Sequence, residues 1–414
     1  MKRFTYTCLA LLAVHWANGA HGDQHQALEA HFTPGLERLN QWLASADADL
    51  SLVETFPLDL GNLAKASFGK YYTELDRPER QRLLSHLGQR LSRDVARQLR
   101  DAGAQDLQLA VENADGKRPL LRFAGADLQG RLAKTDSGWH LVDFALEDQW
   151  LSKRYKTLCR PIIKGDYSLP VLLAKLDERE YIVIEDFSTS PVGGLPTGWG
   201  WREKDEKKEK PYTVQKMGDK HVLAAADTGN SVILLKYSHW NPRQFPIMTW
   251  CWRADALPPN GDEHFDQTND SAAGIYVIFS RKWIKLLKQI KYVWSTTVPV
   301  GKVGRRDRFM RPYFFVAESG DENLGNWVFE QVDLVADHKR VMEGDLPAKR
   351  TIGIGILSDA NSTKSLAKAY YADLRVWSRK AQEQGLIKNY CGCDAFGSTG
   401  SATTVGDQAA KENE

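Results

Sequence analysis

The sequence predicts two folded parts in tandem, an α+β domain followed by an all-β sandwich of jelly-roll type, and three observations predict it. From Gly138 to Ile163 a nine-residue alternation passes directly into an apolar stripe at three- and four-residue spacing, a strand feeding a helix that lies over it. Ahead of it come helical stripes and then short alternating segments, the order of an α+β domain with an antiparallel sheet. From Tyr181 onward short β runs separated by turn residues take over, and Trp, thirteen in the chain, concentrates after residue 195.

At 414 residues the chain exceeds one ordinary domain, so two or three are expected. A formal net charge of +2 sets up no global field for nucleic acid, and any charged ligand has to be met locally. Residues 1–20 read as a cleaved secretory signal: Lys2 and Arg3, an apolar run around Leu9 to Val14, then small residues at Ala17, Gly19 and Ala20. The alternative is a buried first helix. Cys8 lacks the small residues that precede a lipidated cysteine, and no later stretch has about 18 uninterrupted apolar residues, so the expectation is a soluble protein of the periplasm. Signal removal leaves Cys159, Cys251, Cys391 and Cys393, with three pairings open and Cys391-Gly392-Cys393 also able to close on itself or hold a soft metal.

The first domain is placed at residues 23–178. Leu28, Phe32, Leu36, Leu39 and Leu43 make a helical arm over 25–46, interrupted near Pro34. Leu60, Leu63, Ala64 and Phe68 make a second amphipathic helix within 50–72, after Pro57. For the third, Asp76 is the cap, Pro78 fits the first turn and Glu79 completes a capping box, with Leu84, Leu87, Leu91, Val95 and Leu99 as its stripe and Gly103 as its end. Strands follow at 107–111, 120–123 after the turn Asp115-Gly116, and 126–134. In the strand at 138–146, alternation puts Val142, Phe144 and Leu146 on one face and Trp139 and Leu141 on the other. Leu151, Tyr155, Leu158 and Ile162 form the helix after it, which Pro161 kinks or ends. Helices on one face of a curved sheet enclose an apolar interior.

Phe56-Pro57-Leu58-Asp59-Leu60, Phe68-Gly69-Lys70-Tyr71-Tyr72, Asp76 to Gln81, Gly138-Trp139, Val142-Asp143 and the helix to Leu176 occur in the order and spacing of a known family. Residues 48–178 resemble the periplasmic phospholipid-shuttle (toluene-tolerance) family, an auxiliary component of the lipid-asymmetry ABC transport system. The resemblance implies a nuclear-transport-factor-like fold whose wall holds acyl chains, each buried methylene contributing about 0.8 kcal/mol. On that implication the lipid-binding wall comprises Phe56, Leu60, Phe68, Leu84, Leu91, Val142, Phe144 and Trp150. The same residues also suit a solid core. Where the family has a small-residue Gly-x-Ser turn after the strand, this chain has Asp148-Gln149-Trp150, a Trp placed to plug or reshape the entrance.

The second domain is placed at residues 180–380, after the charged junction Asp177 to Glu180. Its strands are read at 181–187, 212–216, 221–225, 231–237, 247–253, 272–279, 291–296, 313–316, 327–332, 352–357 and 370–377, with Pro258-Pro259-Asn260-Gly261 as a turn. Trp250 and Trp252 share one face, read as core, and Cys251 the other. Glu185-Asp186-Phe187, Trp250-x-Trp252-Arg253, Asn269-Asp270 before Ile275-Tyr276-Val277, Tyr292-x-Trp294, Trp327-Val328-Phe329-Glu330, and Ser358 to Thr363 before Ala369 to Asp373 resemble the bacterial domain of unknown function 3047 family. That resemblance implies a fold and almost no function.

Asp359, Asn361 and Thr363 alternate in one loop as oxygen ligands for Ca²⁺ do, with Asp270 able to join them; the other reading is an Asx-type turn. No cofactor is required. Lys288, Lys291, Lys302, Arg305, Arg306, Arg308 and Arg311, interleaved with Trp283, Tyr292 and Trp294, read as a solvated loop or, on one face, as a contact for anionic head groups at a membrane surface. Residues 397–414 read as a disordered tail. No nucleophile elbow, zinc-protease, phosphate-loop or dinucleotide motif occurs; of three nearby carboxylates, the odd spacing of Glu330 and Asp333 sets them on opposite faces of a regular strand and Asp337 starts a short helix, so a shared glycosidase site is not assumed. The leading expectation is a periplasmic protein that holds or shuttles a phospholipid or similar amphiphile, with the sandwich docking to an envelope transport complex, glycan or membrane surface. The alternative is a carbohydrate-binding or carbohydrate-active sandwich.

Overall fold

The computed structural model describes residues 7–45, 49–114, 116, 118–281, 287–305, 312–342, 346 and 350–392, with residues 7–23 and 281 described by backbone alone. The chain divides into two compact units, Met1–Lys164 with Lys175–Glu178, and Gly165–Ala174 with Arg179–Glu414.

In the first unit α1 (Thr7–Ala44), α2 (Leu52–Thr55), α3 (Leu60–Phe68), α4 (Lys70–Glu74) and α5 (Arg77–Asp101) precede an antiparallel sheet. Its strands are β1 (Gln108–Glu112), β2 (Leu120–Ala124), β3 (Leu128–Thr135), β4 (Gly138–Leu146) and β5 (Gln149–Trp150), adjacent in chain order. α6 (Leu151–Lys164) follows directly. The third expected helix has its predicted start: Asp76 accepts from the Glu79 amide at 2.8 Å, and the Glu79 side chain accepts from the Asp76 amide at 3.2 Å. Leu83 rather than Leu84 is its buried leucine in the second turn, and Gly103, at φ 62°, follows its C-terminus.

Three expectations are corrected. Pro34 lies inside a continuous α1, where Leu28, Phe32 and Leu39 are buried and this packing offsets the lost backbone bond. The stretch 50–72 is three short helices, because Pro57 lies in the extended segment between α2 and α3, and Gly69 at φ 58° separates α3 from α4. In β4 the ladder skips Val142: Leu132 pairs with Leu141, Arg131 with Asp143 and Gly130 with Phe144. This bulge brings Leu141, Phe144 and Leu146 to one face, so Leu141 is not opposite Phe144 as strict alternation predicts. α6 contains Pro161 and runs on to Lys164.

α7 (Leu169–Leu176) leads to the second unit's strands: β6 (Tyr181–Glu185), β7 (Tyr212–Met217), β8 (Lys220–Asp227), β9 (Leu234–Tyr237), β10 (Ile247–Ala256), β11 (Ala273–Arg281), β12 (Leu287–Ser295), β13 (Val303–Gly304), β14 (Tyr313–Ser319), β15 (Val328–Asp333), β16 (Gly353–Ile356) and β17 (Ala367–Trp377). Two short helices, α8 (Leu334–Val341) and α9 (Arg379–Glu383), complete it. One sheet has the order β15-β10-β17-β8-β7, with β6 also on β17, and the other has the order β13-β14-β12-β11-β16-β9. All eleven expected strands are present, and β13 is additional. β12 and β14 run parallel, a departure from a purely antiparallel sandwich.

The sheets share one core. Ile184, Val214, Leu223, Trp250, Trp252 and Tyr371 of the first meet Ile275, Val277, Tyr292, Trp294, Phe315 and Ile356 of the second. Trp250 and Trp252 are fully buried, with ring centroids 5.3 Å apart, and Trp294 lies 6.0 Å from Trp252. Cys251, on the opposite face, bonds Cys391 and packs with Val222, Tyr370 and Ala372. Cys159 is a free, buried thiol whose pKa burial pushes up to about 12. Cys393, Asp115, Trp283, Arg306, Arg308, Arg311 and residues 397–414 lie outside the described residues.

Candidate functional site

Inward positions of the second sheet alternate with outward ones, and the outward ones line up across five strands. Leu235 of β9 pairs with Gly355 of β16, Gly355 with Tyr276 of β11, Tyr276 with Lys291 of β12, and Lys291 with Phe314 of β14. Leu235, Tyr276, Lys291 and Phe314 of this row line a cleft of 290 Å³, together with Arg202, Ile233, Glu263, Asn269, Ile278 and Gln289. Two glycines shape it. A Cβ on Gly355 would stand 3.0 Å from Ile233 Cδ1, and one on Gly274 would stand 2.9 Å from Lys291 Cε, over which the lysine stem runs.

Lys291 is 4% exposed. Its Nζ donates to Ser271 Oγ at 3.0 Å and lies 5.7 Å from the Tyr276 ring centre. Ser271 in turn donates to Glu263 Oε1 at 2.9 Å, and Ser295 to Glu263 Oε2 at 2.7 Å. Glu263 is 1% exposed, and the two hydroxyls fix its plane. Asp359, whose amide donates to the Ser271 carbonyl at 3.1 Å, has its carboxyl pushed up to about 6, chiefly by burial, against the lowering pull of Lys291 and with a further push from Asp270. Arg202 is held by Asp205 and by donation to the Ser231 carbonyl at 3.1 Å.

The expected Ca²⁺ ligands come partly together. Asp270 accepts from the Thr363 amide at 2.6 Å, the Thr363 hydroxyl at 2.7 Å and the Ser362 amide at 3.1 Å, while Asn361 is exposed. With Asp270's oxygens turned onto these donors and the Thr363 hydroxyl turned onto Asp270, the donor set fits the loop itself better than a cation. Among the described residues no group of three or more His, Cys, Asp or Glu is arranged for a metal.

Among its described residues, the basic run differs in burial. Lys291 is buried on β12, Tyr292 and Trp294 point into the core, Lys288 is half-buried, and Lys302 and Arg305 are exposed. The three carboxylates weighed for hydrolysis also go separate ways. Glu330 accepts from Trp252 Nε1 at 3.1 Å, and burial, with Glu318 nearby, pushes its carboxyl well up. Asp333 caps α8 and meets Arg379 at 2.7 Å, while Asp337 accepts from the Tyr292 hydroxyl at 2.8 Å.

In the first unit, Phe56, Phe68, Leu91 and Phe144 of the expected lipid wall are buried, and Leu60, Leu84, Val142 and Trp150 are half-buried. The Phe56 ring meets Phe123 edge-on at 5.8 Å and fills the space that a Cβ on Gly35 would need. Leu60 packs on Gly88 of α5. Trp150 lies under the Arg131 guanidinium, 3.8 Å from its ring centre, and Arg131 approaches Asp143 to 3.6 Å. A buried polar network was not foreseen. Arg90 donates to Asp94 Oδ2 at 2.9 Å, the Tyr155 hydroxyl donates to the same oxygen at 3.0 Å, and Arg90 also meets Glu178 at 2.9 Å. Its signal was the i,i+4 pair Arg90 and Asp94 beside the apolar stripe of α5.

Solved structures similar to parts of the chain fall into two groups. A phospholipid-binding protein from Ralstonia solanacearum, in complex with a phospholipid, is 20% identical over 39% of this chain and 93% of its own, with a TM-score of 0.27. The family 11 carbohydrate-binding module from Clostridium thermocellum, in complex with a β-1,3-1,4-mixed-linked tetrasaccharide, is 10% identical over 48% of this chain and 95% of its own, with a TM-score of 0.28. The K3 cleaved adhesin domain of Lys-gingipain from Porphyromonas gingivalis is 13% identical over 48% and 99%, with a TM-score of 0.27. No curated protein sequence matches the chain. Residues 198–375, which include every element of the cleft, match the family described as protein of unknown function (DUF3047).

Proposed function

We propose that this chain is a binding protein of the periplasm whose second unit, a jelly-roll-type sandwich, takes a saccharide in the cleft on its second sheet. The row Leu235, Gly355, Tyr276, Lys291 and Phe314 carries the reading. A sugar ring offers a C–H face and a rim of hydroxyls. Tyr276, Phe314 and Leu235 supply apolar surface for the first, and Glu263, Asn269, Gln289 and Lys291 supply acceptors and donors for the second, with Glu263 and Lys291 held in place by serines. Affinity electrophoresis through gels containing soluble polysaccharides tests it. Wild type is retarded by at least one polysaccharide, and Tyr276→Ala migrates as in a blank gel; no retardation in any gel contradicts the reading.

The first unit, in this proposal, is a nuclear-transport-factor-like domain that holds a phospholipid or similar amphiphile. Support comes from the half-buried Trp150, Val142, Leu60 and Leu84 alongside buried Phe56, Phe68, Leu91 and Phe144, a wall less completely covered than a closed core. Protein purified without detergent, extracted with organic solvent and analysed by mass spectrometry, yields a stoichiometric lipid. An extract free of lipid contradicts this half of the proposal and leaves the sandwich reading in place.

A further inference from the structure

We infer that the sandwich cleft selects saccharides bearing an anionic group, such as a uronate carboxylate, a sulfate or a phosphate, which Lys291 Nζ receives; this rests on the saccharide reading of the same cleft. An ammonium with only 4% of its residue exposed is costly to desolvate unless it is paired with an opposite charge. Lys291 has no such pair. Among the described residues its one hydrogen bond is to the neutral hydroxyl of Ser271, and no carboxylate lies within ion-pair distance, although surface lysines of this unit such as Lys208 and Lys380 have one.

The groups around it explain why the charge stays open toward the cleft. Glu263, the nearest acid in the network, is separated from Lys291 by Ser271 and has both oxygens accepting serine hydroxyls. Asp359 feels the lysine's charge, which lowers its carboxyl from where burial alone would set it, without an ion pair between the two. Asp270 is occupied by the Ser362 and Thr363 donors. Arg202, a second cation on the lining, is tied to Asp205 and adds positive potential without being free to move. Gly274 leaves the lysine stem its channel, since a Cβ there would meet Lys291 Cε at 2.9 Å, and the ammonium donates to Ser271 at its end. A ligand oxyanion placed there would complete a charge-assisted contact that the protein alone leaves unmade.

The test is a glycan array carrying matched neutral, carboxylated, sulfated and phosphorylated saccharides, followed by calorimetric titration of the best binder. The expected result is that binders are acidic, that their neutral counterparts bind at least tenfold more weakly, and that Lys291→Met removes this preference while the melting temperature stays within a few degrees. Raising NaCl from about 50 mM to about 500 mM weakens wild-type binding several-fold, a readout that needs no variant should Lys291→Met fail to fold. Binding of neutral saccharides with equal or higher affinity, or acidic binding insensitive to both salt and Lys291→Met, overturns the inference and leaves the saccharide reading standing. An array with no binder overturns both.

Discussion

Asp359 is the residue whose environment makes the sharpest claim about stability. Its folded carboxyl titrates at about 6, whereas an unfolded aspartate titrates near 3.9, so the folded chain holds the proton more tightly. Its contribution is therefore most favourable below about pH 4 and is lost as pH rises through about 6, a change on the order of 2 to 3 kcal/mol. Asp359→Asn should flatten the dependence of sandwich stability on pH across that window and raise stability at pH 7, monitored by Trp fluorescence during urea unfolding. A variant no more stable than wild type at pH 7 would count against the burial argument. In the first unit the comparison is between Phe144 and Trp150. Phe144→Ala, at a buried site, should cost about 3 to 5 kcal/mol, and Trp150→Ala distinctly less, because its ring is half-buried under Arg131. Equal losses in denaturant titrations would place Trp150 in the core. At this scale the sequence was a partial guide. Trp250 and Trp252 were recognisable as core from alternation alone, whereas Lys291 looked like part of a solvated basic run, because nothing local reveals that the strand's outward face floors a cleft.

Elements were most legible where local chemistry decides them. The capping box at Asp76 and Glu79 depends on residues three apart, and it stands as read; Asp76→Ala should cost about 1 kcal/mol and leave the sandwich melt unchanged in calorimetry. The bulge at Val142 was invisible because it arises from pairing with β3, not from β4's own alternation. The cysteine count left three pairings open, and only the packing of Cys251 on the outer face, beside Val222, Tyr370 and Ala372, chooses Cys391. That bond closes a loop of sequence separation 140, so Cys251→Ala with Cys391→Ala should destabilise the sandwich by up to about 5 kcal/mol in guanidinium unfolding under non-reducing conditions. The acidic loop at 359–363 keeps its form through Asp270 and the amides of Ser362 and Thr363, so EDTA should leave the sandwich melting temperature unchanged. A fall of several degrees would restore a calcium role.

For the whole molecule, the division into two units does not follow a single change of periodicity near residue 180, since Gly165–Ala174 groups with the second unit, but the second part's strands were nearly all readable because each is short, alternating and bounded by turns. What the chain's order could not convey is which strands become neighbours. Tyr276 and Lys291 lie fifteen positions apart and Leu235 and Phe314 lie still farther, yet sheet pairing sets them in one row. The saccharide claim stands or falls on that row. Hydrogen–deuterium exchange of the intact chain, with and without the retained saccharide, tests it most directly. The account predicts added protection at 274–278 of β11, 289–292 of β12 and the loop around Glu263, with none in the first unit. Unchanged exchange at these positions, or protection confined to the outer face of the other sheet, would contradict it.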